Sequence, residues 1–145
     1  MTEKQTRFLV GYNLYFTSER VMDVAINHAK AFRAKLYVVS SIVGHSLDRE
    51  GNVANVKARE RLENLKARLE KEGIPYEVHL IVRRNSAGND LVSFAVKHEI
   101  DEMVIGFKVR SPLGEIIFGS NYRTMIAEAP CPVVTVHVPG EPIDK

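Results

Sequence analysis

Short, nearly unbroken apolar runs alternate with stretches of helical period along this chain. RFLVGY (7–12), AKLYVVSSIV (34–43), IPYEVHLIV (74–82), DEMVIGF (101–107) and CPVVTVHV (131–138) read as strands. Between them, apolar residues recur three or four positions apart: Met22, Ala25, Ile26 and Ala29; Ala58, Leu62, Leu65 and Leu69; Leu91, Phe94, Ala95 and His98; Tyr122, Met125, Ile126 and Ala129. Strands that alternate with helices imply a parallel sheet covered by helices on both faces, and right-handed crossovers leave few topologies. The expected fold is therefore α/β: a doubly wound, five-stranded parallel sheet of order 3-2-1-4-5. With 145 residues and no internal repeat or linker, residues 1–145 are expected to form one domain.

Local signals refine this picture. AKLYVVSSIV is rich in β-branched residues and apolar almost throughout, as a central strand covered on both faces would be. IPYEVHLIV alternates and begins next to Pro75, which places it nearer an edge. Ser18 is positioned to cap the first helix, and Gly73 to end the second. GHSLDREGN (44–52) reads as a polar loop and RRNSAGND as a turn and cap, with Arg83 and Arg84 a solvated strand end. The mixed Lys, Arg and Glu face of the second helix reads as solvated.

Composition narrows the functional classes. The chain is 45% hydrophobic and 26% charged, in the range of folded globular proteins. A net charge of +2 is too small and too dispersed to make nucleic acid the main partner. No apolar run reaches membrane-spanning length, and MTEKQTRFLV contains no apolar signal core, so a cytoplasmic location is expected. Cys131 is the only cysteine and reads as a small buried residue at a strand entrance. The five histidines, at 28, 45, 79, 98 and 137, lack metal-ligand spacing. No Ser-His-Asp or Cys-His arrangement and no general base for hydrolysis stands out, so the expectation is a protein that is not an enzyme and holds no metal.

The stretch with most chemical content is GFKVRSPLGEIIFGSN (106–121). In an open α/β sheet, ligands bind at the carboxyl ends of the strands where the winding reverses. For the expected order, that point lies between the first and fourth strands. The loops meeting there are the one at Asn13 and the one that begins at Gly106. Gly119-Ser120-Asn121 immediately precedes the fourth helix, with Ser120 as its expected cap. Free N–H groups and the helix dipole at such a start suit an anion, and Gly119 lets a phosphate approach the backbone. Spacing alone leaves two readings open, a phosphate-binding loop and a plain helix cap.

FLVGYN, AKLYVVSSI and the tail DEMVIGF…GSN…APCPVVTVHV together resemble the universal stress protein superfamily, over nearly the whole chain. The resemblance implies a carrier of ATP or a related adenine nucleotide that acts as a homodimeric regulatory protein. The nucleotide-binding pattern of that family is Gly-x-x-Gly, nine further residues, then Gly-Ser. Gly106 and Gly119-Ser120 fit its ends, while Val109 stands at the second glycine. Asn13 stands where family members tend to carry an Asp that bonds the ribose. On this resemblance the phosphates are expected over Gly106, Arg110 and the helix start at Gly119, Ser120 and Asn121. Asn13 is expected at the ribose, with Ile105 and Ser40-Ser41 flanking the base. The last strand, Val133–Val138, is β-prone and at an edge, and is expected to pair antiparallel with its copy in the dimer. The alternative reading is an interaction protein of the same fold that does not bind nucleotide, favoured by Val109 and Asn13. A flavin carrier or enzyme on a flavodoxin-like sheet ranks last, because NLYFTSER contains no glycine.

Overall fold

The computed structural model describes residues 4–14, 19–84, 86–108 and 120–138, with 108, 120 and 121 as backbone. The elements are β1 (Arg7–Gly11), α1 (Glu19–Phe32), β2 (Lys35–Ile42), α2 (Val56–Glu72), β3 (Tyr76–Val82), α3 (Ala87–Lys97), β4 (Glu102–Lys108), α4 (Ser120–Glu128) and β5 (Val133–Val138). All four strand pairs are parallel and the sheet order is β3-β2-β1-β4-β5, as the alternating periods predict.

The pleat sends alternate strand residues to opposite faces. Phe8 and Val10 of β1, with Leu36 and Val38 of β2, pack with Met22, Ala25 and Ile26 of α1 and Leu62, Leu65 and Leu69 of α2. Leu9, Tyr37, Val39, Met103 and Ile105 point the other way, onto Leu91, Phe94 and Ala95 of α3 and Tyr122 and Met125 of α4. The sheet is thus a shared wall between two cores. β2 is buried almost throughout, whereas β3, at the edge, is half-buried for most of its length. In α4, Tyr122 and Met125 are buried but Ile126 is 52% exposed. The apolar stripe of that short helix is therefore narrower than its periodicity predicts.

Helix ends follow local chemistry. Asn55 accepts from the Ala58 N–H with its side chain, and Gly73 closes α2 in the left-handed conformation at φ 72°. Ser86 caps α3 by accepting from the Asn89 N–H. The expected cap Ser18 lies outside the described residues. Instead of an unstructured loop after β2, Gly44–Ser46 form a single 3-10 turn, and Leu47 bridges Val53 in antiparallel fashion. Val53 is consequently buried against the α1–α2 core, although the segment around it is polar.

Candidate functional site

The ladder between β1 and β4 ends at Val10↔Val104. The outer ladders run further: β1 follows β2 to Gly11↔Val39, and β4 follows β5 to Lys108↔Val138. The two central strands therefore part at their carboxyl ends, which opens the crevice that a reversal of winding creates. β4 runs beyond the expected end at Gly106, because VVTVHV continues to pair with it. Gly106 is thus a sheet residue opposite Val136 and not the first residue of a loop, while the strands that lead to it and to Asn13 are neighbours in the sheet.

A cavity of about 310 Å³ lies at the ends of β1 and β2, lined by Tyr12, Asn13, Leu14, Ser40–Val43, Ser46 and Arg83. Two carbonyl contacts hold the segment that forms its wall. The Ser40 hydroxyl donates to the Tyr12 carbonyl, and Arg61 Nη1 of α2 donates to the Leu14 carbonyl at 2.8 Å. Tyr12 and Leu14 are buried, which leaves Asn13 exposed between them at the cavity. Burial, and next the Glu19 carboxylate, push the Tyr12 phenol above its ordinary value, so it remains neutral at physiological pH.

The far wall carries a hydrogen-bonded chain that sequence reasoning missed. Arg83, immediately after β3, donates through Nε to Ser41 Oγ at 3.1 Å and through Nη2 to the Ser41 carbonyl at 2.8 Å. Ser41 Oγ in turn donates to Asp90 Oδ2 of α3 at 2.7 Å. Asp90 is only 8% exposed, and this bond satisfies one of its oxygens. RRNSAGND contains both Arg83 and Asp90, but only the parallel pairing of β2 with β3 brings Arg83 beside Ser41.

The expected site residues divide by position. Asn13 and Ser41 line one cavity, together with Ser40. Ile105 does not: it is 3% exposed and packs into the α3–α4 core. Gly106 is on the opposite face, where an added Cβ would lie 2.8 Å from Val21 Cγ2 and 3.1 Å from Val138 Cγ2. Packing alone therefore accounts for a glycine there. α4 opens at Ser120, so the backbone of Ser120 and Asn121 forms its first residues. Arg110 and Gly119, with Val109, lie outside the described residues.

Two remaining features stand apart from the cavity. Phe94 and His98 stack at 3.9 Å between ring centroids, with His79 at 4.9 Å from Phe94 and 5.7 Å from His98. Burial, then the neighbouring His79 and Lys97 charges, hold the His98 imidazole below its ordinary value. Cys131 is half-buried ahead of β5, and burial, then Asp101 and Glu102, push its thiol up, the opposite of what a reactive cysteine needs. Among the described residues, no cluster of three or more His, Cys, Asp or Glu is arranged to hold a metal, and no helix is long and apolar enough to cross a membrane.

Comparison with known proteins gives a consistent family. The profile of the Universal stress protein family matches residues 5–137. A universal stress protein of Methanocaldococcus jannaschii is 32% identical over 126 residues, covering 79% of this chain and 72% of the relative. A solved universal stress protein structure from Archaeoglobus fulgidus superposes with a TM-score of 0.72 at 32% identity, over 91% of this chain and 98% of that one. Another structure of the universal stress protein from Archaeoglobus fulgidus, in complex with dAMP, has a TM-score of 0.66 at 30% identity, over 90% of this chain and 96% of that one.

Proposed function

The chain belongs to the universal stress protein family, and from that premise we propose that it binds an adenine nucleotide as a non-catalytic regulatory protein of the cytoplasm. The observation that carries this reading is the cavity at the ends of β1 and β2, on the side of the sheet where β1 and β4 part. The dAMP complex of the Archaeoglobus fulgidus relative supports the ligand class. In this reading Asn13 faces the ribose and Ser40 and Ser41 lie toward the base. The phosphates reach across the crevice to Gly106, Arg110, Gly119 and the start of α4 at Ser120 and Asn121, where a helix N-terminus favours an anion. ATP is the nucleotide proposed, on the family resemblance. Binding alters the surface or the assembly of the protein, and through these its partners.

The single domain assembles as a homodimer through β5. Among the described residues that strand is an edge, paired only with β4, and its residues other than Val136 are at least partly exposed. Antiparallel pairing of two copies covers both edges at once.

Calorimetry with ATP, ADP and AMP tests the ligand, and light scattering at micromolar concentration tests the dimer. Binding by at least one nucleotide, abolished in Gly119→Val, is the expected result. No binding at millimolar concentration favours the second reading, an interaction protein of the same fold. The packing of Gly106 against Val21 and Val138 supports that alternative, since it removes the need for a phosphate to explain the glycine.

A further inference from the structure

The cavity has a charge pattern of its own. Among the described residues lining it, Arg83 is the only charged side chain; the others are hydroxyl, amide or apolar. Asp90, the carboxylate nearest in the hydrogen-bonded chain, is buried and already accepts the Ser41 proton, and it does not line the cavity. That bond fixes the Ser41 hydroxyl with its lone pairs toward Arg83 Nε. A second bond, from Nη2 to the Ser41 carbonyl, anchors the other arm of the guanidinium. The Arg83 backbone is tied as well, its N–H donating to the Ile42 carbonyl at 2.7 Å. Arg83 is exposed, but these bonds fold it back along the end of β2 at the cavity before any ligand arrives, which lowers the ordering cost of using it.

A fixed cation and an amide, with no carboxylate on the described walls, give the hydroxyls of a bare ribose diol only neutral acceptors. The cation and the amide are well matched to an anion attached to that ribose. Dinucleotide-binding sheets show the same division: an acidic residue selects the free 2′-hydroxyl, and a nearby Arg accommodates a 2′-phosphate. With Asn13 and Arg83 lining one cavity, this chain has the second arrangement.

We propose that the cavity selects an adenine nucleotide carrying a phosphate on its ribose 2′- or 3′-oxygen, gripped by the Arg83 guanidinium on the wall that faces Asn13. The proposal rests on the adenine-nucleotide reading above and specifies the ligand class within it. Ser41 and Asp90 are positioning residues: they hold the guanidinium but do not touch the phosphate.

Calorimetry with AMP, adenosine 2′,5′-bisphosphate and adenosine 3′,5′-bisphosphate distinguishes the two readings, with inorganic phosphate as the probe for the anion alone. One bisphosphate is expected to bind about ten- to a hundredfold more tightly than AMP, the worth of a charge-assisted contact. That ratio is expected to fall toward one in Arg83→Gln, to be intermediate in Arg83→Lys, and to invert in Asn13→Asp. Thermal melts run alongside separate loss of the fold from loss of the contact. If AMP matches or exceeds both bisphosphates, the proposal is overturned and the adenine-nucleotide reading stands. If the preference survives in folded Arg83→Gln, or inorganic phosphate binds as well as the bisphosphate, the proposal is also overturned. If neither AMP nor either bisphosphate binds, the proposal is overturned, and the titrations with ATP and ADP decide the adenine-nucleotide reading.

Discussion

A methyl group on Gly106 would lie 2.8 Å from Cγ2 of Val21, closer than real Cβ contacts allow. The side chain of Val138 lies 3.1 Å away as well, so the added carbon is tight against two valine side chains that must shift to admit it. Gly106→Ala is therefore expected to destabilise the fold by about 1–3 kcal/mol through overpacking. Urea unfolding in the absence of nucleotide measures it. An unchanged midpoint would mean that α1 has room to move away from β4, and would return Gly106 to a purely ligand-binding role.

The wall of the cavity depends on a residue outside it. Arg61 Nη1 bonds the Leu14 carbonyl and so holds the turn that presents Asn13. Arg61→Ala removes a hydrogen bond from a charged donor, worth about 1.5–3 kcal/mol when it is fully formed and desolvated. The half-buried setting places the expected stability loss at the lower end. Nucleotide affinity should weaken in the same variant, because Asn13 is no longer held. If affinity is retained while stability falls, Asn13 does not touch the ligand.

The cap of α2 offers a test without any ligand. The Asn55 side chain accepts from the Ala58 N–H at 3.0 Å. Asn55→Ala leaves that donor without its cap and is expected to cost about 0.5–2 kcal/mol. Asn55→Asp retains an acceptor and adds a negative charge at the positive end of the helix dipole, so it should be neutral or stabilising. Denaturation of the three proteins side by side decides whether the cap or only the helix propensity matters.

His98 links stability to pH. Its folded-state value is depressed, chiefly by burial and then by the charges of His79 and Lys97, with Arg7 adding to them and Glu77 opposing. The unfolded chain therefore binds this proton more readily than the folded one. The contribution is fully present above the ordinary histidine value of about 6.5, and is lost as the pH falls from there through the folded value. His98→Gln should unfold with a flatter pH profile than the parent between about pH 7 and 5. Equal slopes in the two proteins would show that His98 is not the group responsible.

What could be read from the residues in order was whatever depends on local period and local chemistry. The run AKLYVVSSIV, apolar on both pleat faces, marks a strand covered on both sides, and β2 is one. The stripe Ala58, Leu62, Leu65 and Leu69 marks a buried helix face, and all four are buried. Gly73 marks a helix end, and it takes the left-handed conformation that only glycine adopts cheaply. The alternation of these elements restricts the sheet to few orders, and the one expected is the one found. The position of Asn13 at the end of the first strand followed directly, because the rule that puts ligands at a reversal of winding needs only the strand order.

Positions set by contacts between distant segments were not legible in this way. Ile105 and Gly106 are consecutive, yet one faces the α3–α4 core and the other faces α1, since the pleat phase of β4 is set by its partners. Ser41 and Arg83 are 42 residues apart, and Ser41 and Asp90 are 49 apart. Nothing in RRNSAGND shows that its first arginine will fold back onto another strand. Parallel pairing of β2 with β3 and the packing of α3 on β2 bring the three side chains together. A local pattern records which face a residue prefers, but a hydrogen-bonded chain across three elements exists only once the register between them is set.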